Sequence, residues 1–119
     1  MILGESDMQS PIEVRRWIGA TAQIDKIVRL EFNWDGDKAE PISQSMVSAC
    51  SAYLRFLFAQ NSSAPMDIYP LSDGTVMFEW QHSNGVVVRD QLRTPSDVFR
   101  MTTFPECGRK GEIRRVDWL

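Results

Sequence analysis

Asn33, Asp35 and Asp37 stand at alternate positions in the segment NWDGDK, the spacing with which an EF-hand calcium loop begins. Such a loop requires Gly at its sixth position and a bidentate Glu at its twelfth. Those positions are Lys38 and Gln44, so the oxygen set is incomplete and no metal site is expected. The same residue types suit a tight turn, with Asn33 and Asp35 satisfying backbone amides and Trp34 packing between the helices and the sheet. His82 is the one histidine, and it falls in a turn two residues after Trp80. A histidine base needs a nucleophile or an orienting carboxylate within hydrogen-bond reach, for which Glu79 and Asp90 are the conceivable partners. No G-x-S-x-G, H-E-x-x-H or Gly-rich phosphate loop occurs, so His82 reads as an exposed turn residue. No catalytic residue, metal or cofactor is therefore assigned. The competing enzymatic reading would use Asp35, Asp37, Glu79 or His82.

Charge points elsewhere. Thirteen Lys and Arg against sixteen Asp and Glu leave a net charge of -3, which argues against a nucleic-acid-binding chain. A local exception is the C-terminal run of Arg109, Lys110, Arg114 and Arg115, opposed only by Glu112. It reads first as a solvated hairpin and second as a docking patch for phosphate or an acidic partner, with direct nucleic-acid binding through Arg109 to Arg115 as a further alternative. Met77 and Glu79 would share one face of a strand, and a face mixing Met with charge suits a protein contact. Trp118, next to the end, either lies at an interface or pins the last strand. The candidate partner-binding residues are thus Asp35, Asp37, Met77, Glu79, Arg109, Lys110, Arg114, Arg115 and Trp118. Cys50 and Cys107 lack C-x-x-C spacing, which favours free thiols in a reducing compartment. With no signal-peptide pattern and no apolar run of about 20 residues, a cytoplasmic, non-membrane protein is expected.

The elements that must position these residues follow from periodicity. The chain's 119 residues fit one domain over residues 10–119 behind a loose leader, 1–9. Ser10, Pro11 and Glu13 mark a helix start, and Trp17, Ala20, Ile24, Ile27 and Val28 recur at helical spacing. That helix is expected to end near Leu30 to Phe32. After the Asn33–Ile42 turn, a second helix from Ser43 carries Met46, Val47, Cys50, Leu54, Leu57 and Phe58 on one stripe. The period then falls to two. Met66–Leu71, Thr75–Trp80 and Val86–Leu92 read as antiparallel strands joined by turns at Ser72–Gly74 and Gln81–Gly85. Val98–Phe104 is open to helix or strand, since Thr94-Pro95-Ser96-Asp97 resembles a helix start. Glu112–Trp118 suits an edge strand. The fold class is α+β: two N-terminal helices, then an antiparallel meander of three to five strands.

The turn Asn33-Trp34-Asp35-Gly36, leading through Pro41, and the hairpin Asp73-Gly74-Thr75-Val76-Met77-Phe78-Glu79-Trp80 together resemble a known pattern. They are similar to small uncharacterised bacterial proteins, frequent in phages and mobile elements, with an NWDG.GA.P turn and a DG.V..EW strand. The resemblance spans residues ~30 to ~91, and this chain has Lys38-Ala39 where such relatives often carry Gly-Ala. It implies a shared fold core and a setting rich in accessory, defence-related or inhibitory proteins. The expected function is accordingly a non-enzymatic protein-binding module of antitoxin, immunity or phage anti-defence type. Its partner would be another protein, such as a nucleic-acid-processing or defence complex, with a homodimer also compatible.

Overall fold

The computed structural model describes residues 11–106 and 109–119; Ser10, read as a cap, and Cys107 lie outside them. Helix α1 runs Pro11–Val28 and helix α2 Gln44–Ala59. Five strands follow: β1 Asp67–Pro70, β2 Val76–Gln81, β3 Val87–Leu92, β4 Val98–Thr103 and β5 Glu112–Val116. They form one antiparallel sheet in sequential order, so the α+β meander has its full five strands.

Helix α1 buries Trp17, Ala20, Ile24 and Ile27, while Val28 is 51 % exposed and the helix ends there. Arg29 and Leu30 are held by tighter i→i−3 bonds to Lys26 and Ile27, which unwind the last turn before Phe32. Helix α2 is capped by the Ser43 hydroxyl, which accepts from the Met46 amide at 3.2 Å. Its buried face is Met46, Ala49, Cys50, Tyr53, Leu54 and Leu57, rotated from the expected stripe by the inclusion of Tyr53. Phe58 is 49 % exposed and touches Trp17 edge-on instead of entering the core. Both helices lie on one face of the sheet, over Ile68, Val76, Phe78, Trp80, Leu92, Val98 and Val116.

Residues 98–103 are a strand because Thr94 serves a hairpin turn. Its hydroxyl accepts from the amides of Ser96 and Asp97, and Arg93 N–H bonds Asp97 O at 2.9 Å to close the β3–β4 loop. A Ser/Thr followed three residues later by an acid suits such a turn as well as a helix cap. Pairing with β3 on one side and β5 on the other decides between them.

Candidate functional site

In strand β2 the side chains alternate as expected, Val76, Phe78 and Trp80 toward the helices, Met77 and Glu79 away. The register then determines what shares the outer face. Tyr69, Met77, Gln91, Phe99 and Arg115 form one row across the five strands. Asp67, Glu79, Arg89, Met101 and Ile113 form the next. No described helix covers this face. Its apolar members include buried Met77 and half-buried Tyr69, Val87, Phe99 and Met101, with exposed Ile113 at one border.

Met77 and Glu79 share this outer face as the strand period predicts, yet only 8 % of Glu79 is exposed, and Met77 only 9 %. Neighbouring side chains on the same face close over the central strand. The Glu79 carboxylate accepts from the Tyr69 hydroxyl and Arg89 Nε, each at 2.9 Å, and from the Gln81 amide at 2.8 Å. The Gln81 hydrogen bond, followed by those from Arg89 and Tyr69, holds the carboxyl below its ordinary value against the opposing effect of burial. The same contact raises the Tyr69 hydroxyl, after burial, and makes Arg89 a stronger base. Beside it, the Arg93 guanidinium lies 4.4 Å from the Phe99 ring centroid. Polar groups on this face are thus tied to one another.

The depressed carboxyl has a sign in acid. A carboxylate favoured in the folded state stabilises fully above its unfolded value, 4.5, and loses that contribution as pH falls through the lower folded value. Melting temperatures of wild type and Glu79→Gln are expected to differ most at neutral pH and to converge in acid. A gap independent of pH would mean that the carboxylate's charge contributes nothing.

On the inner face a second polar cluster is centred on a fully buried carboxylate. Asp90 has no exposed surface and accepts from Arg100 Nε at 2.7 Å, Arg100 Nη2 at 2.8 Å and the Tyr53 hydroxyl. Burial, then the Asp90 charge, drives the Tyr53 phenol far above its usual range. The hydrogen bond to Asp90 likewise raises Arg100. Burial also pushes the Cys50 thiol up to about 12, leaving it an unreactive core residue.

The remaining sequence-selected residues are scattered. Asp35 Oδ1 accepts from the amides of Asp37 at 2.8 Å and Ala39 at 3.1 Å, and Asn33 Oδ1 from Lys38 at 2.7 Å. Asn33, Gly36 and Lys38 take left-handed φ values of 67°, 77° and 65°, so the loop is shaped by its own polar groups. Trp34 donates to Glu40 O at 2.8 Å, is partly buried against the hydrophobic core and lines a groove with Ile27, Leu30, Ile68 and Pro70. Among the described residues no group of three or more His, Cys, Asp or Glu is placed to hold a metal. Asp35→Ala should cost about 1 kcal/mol, lowering Tm by about 4 °C. An unchanged Tm would show that these bonds do not shape the loop.

His82 lines a shallow groove of about 200 Å³ with Ser62, Ser63, Trp80, Val88 and Arg100. Neither carboxylate proposed for it is available. Glu79 points to the opposite face, and Asp90 is occupied by Tyr53 and Arg100. The basic run is divided as well. Arg109 stacks on Phe104 at 3.6 Å and meets Glu106 at 3.6 Å, while Arg115 pairs with Asp97. Strand alternation sends Arg114 to the inner face opposite Arg100, and Arg115 to the outer face opposite Phe99. Lys110 is exposed in the preceding loop. Trp118 takes the pinning role: its indole donates to Ser96 O at 2.9 Å and its ring meets Tyr53 edge-on at 5.1 Å.

No family model, curated protein or solved structure matches the chain. Its own geometry is then what bears on function. Sequence reasoning reached Met77 and Glu79 but not Tyr69, Arg89, Phe99 or Met101 beside them. Extending the period-two count through Val87-Val88-Arg89 and Val98-Phe99-Arg100-Met101 would have aligned their outer positions. The register between strands was still needed to make them neighbours. None of the described helices is long and apolar enough to cross a membrane.

Proposed function

We propose that this chain is a non-enzymatic protein-binding module that works by occupying a partner's surface with the open face of its sheet. The observation that carries the reading is the composition of that face. Tyr69, Met77, Phe99 and Met101 surround the Glu79–Arg89 pair, and no described helix covers them. Aromatic residues, Met and Arg are the types enriched in interface centres. Because the polar groups there are already hydrogen-bonded to one another, covering them leaves few unpaired donors or acceptors behind. The acidic balance of the chain favours a target with a basic surface, such as a nucleic-acid-processing protein. The resemblance to small phage and mobile-element proteins gives the same reading an accessory or inhibitory setting, of antitoxin, immunity or anti-defence kind.

The test is affinity capture from the source cells at physiological salt, comparing wild type with Met101→Lys and with Ser48→Lys on the exposed side of α2. A specific protein retained by wild type and Ser48→Lys but lost by Met101→Lys, at equal Tm, supports the reading. Retention by all three, or by none, removes the open face from the function.

A further inference from the structure

The two edges of the sheet are closed to different degrees. Antiparallel strands alternate between residues that exchange both backbone bonds and residues that exchange none. The bonds Leu71 N–H to Thr75 O and His82 N–H to Val86 O set this alternation for β1 to β3, and Arg93 N–H to Asp97 O sets it for β4. On β1 the groups left facing outward belong to Ile68 and Pro70. The Ile68 amide is taken by the Gln23 side chain of α1, and Pro70 has no N–H to offer. That edge is shut.

On β5 the same alternation commits Glu112, Arg114 and Val116 to β4 and turns the backbone of Ile113 and Arg115 outward. No described strand lies beyond β5. Glu112 to Arg115 are all exposed, and Ile113, at 68 %, is one of the most exposed large apolar residues of the chain. A free strand edge with its hydrogen-bonding groups outward is a template for another strand.

We infer that β5 pairs antiparallel with β5 of a second copy of this chain, about a two-fold axis at Ile113, joining the two sheets into one. Within the strand itself, Glu112-Ile113-Arg114-Arg115-Val116, the sequence is self-complementary in that register alone. Centred on Ile113, it sets Ile113 against Ile113 and Glu112 against Arg114 twice, with Arg115 opposite Gly111. Centred on Arg114, it opposes two arginines. Centred on Glu112, it opposes two glutamates and sets Lys110 against Arg114. Opposite charges across a strand pair stabilise it and like charges destabilise it, so the charges select one register and penalise its neighbours. The Ile113 centre is also a position whose N–H and C=O both face the edge, as a directly bonded pair requires. On the outer face it continues the Met101–Ile113 row into its symmetry mate, as an isologous contact demands. This pairing is independent of whether the open face takes another protein.

Sedimentation equilibrium of the purified chain alone tests it. Wild type should show a concentration-dependent mass rising toward twice 13.6 kDa. Glu112→Arg alone and Arg114→Glu alone each place two like-charge pairs across the axis, and each should raise the dimer Kd by about tenfold or more. Mixing the two single variants recreates opposite pairs on both sides of the axis, so a heterodimer of near wild-type affinity should form. Circular dichroism melts of the two variants report that each remains folded, as these exposed positions allow. A wild type that stays monomeric up to its solubility limit overturns the inference. A dimer indifferent to Arg114→Glu, or folded single variants that fail to associate when mixed, overturns it equally.

Discussion

Asp90→Ala is expected to destabilise the protein by about 3–5 kcal/mol, the usual cost of removing one partner from a buried ion pair. For a chain of this size that is a fall in Tm of roughly 10–20 °C. The physical reason is what remains. Arg100, with its side chain 26 % exposed, keeps a charge that had two bonds to Asp90, and the Tyr53 hydroxyl is left without an acceptor at the centre of the core. Tyr53→Phe removes only the hydroxyl and keeps the ion pair, so it should cost about 1–2 kcal/mol. The two variants also separate in alkali. The raised phenol stabilises the folded state below its unfolded value of 10.0, and that contribution is lost as pH rises, because the unfolded chain ionises first. Wild type should therefore lose stability above pH 10.0 more steeply than Tyr53→Phe. Thermal melts across neutral and alkaline pH would show both effects. An Asp90→Ala protein as stable as wild type would mean that the triad contributes nothing net.

Phe78→Ala should cost a comparable amount, about 3–5 kcal/mol, through the lost transfer energy and the cavity left behind. Phe78 is fully buried, meets Tyr53 edge-on at 5.3 Å and sits opposite Asp90 across the β2–β3 pair. Its ring therefore supports the side chain that donates to Asp90. The double variant with Asp90→Ala should then lose less than the sum of the singles, since neighbours in one network do not act independently. The adjacent Met77 provides the comparison. It lies on the face that no described helix covers and is 9 % exposed, so Met77→Ala should cost less, about 2 kcal/mol. Urea unfolding, read from midpoint and slope, distinguishes these cases. Equal losses at Phe78 and Met77 would mean that the outer face is packed as firmly as the inner one, and it would then be a poor docking surface.

Much of the inner architecture was legible in the residue pattern. Trp17, Ala20, Ile24 and Ile27 are spaced so that one helical face is apolar, and a helix has no other way to bury them. Val76, Phe78 and Trp80 alternate strictly, which a strand alone can place on one side. The acidic loop was legible through residue types that suit a tight turn, and Asp35 and Asn33 accept from its amides as such residues do. The ambiguity at Val98–Thr103 was of another kind. Thr94 and Asp97 favour a capped helix and a hairpin turn by the same local hydrogen bonds, and no short window separates the two.

What the amino-acid order determined by itself was the set of elements, their apolar faces and the turns between them, because those depend on neighbours a few residues apart. Tertiary structure decided which side chains from different strands meet. Glu79 became buried because Tyr69, ten residues before it, and Arg89, ten after, fold over it from adjoining strands. Asp90 became the centre of a triad because Tyr53 arrives from a helix 37 residues earlier in the chain. Pairing register sets such meetings, and a shift of one residue would send each of these strand side chains to the opposite face.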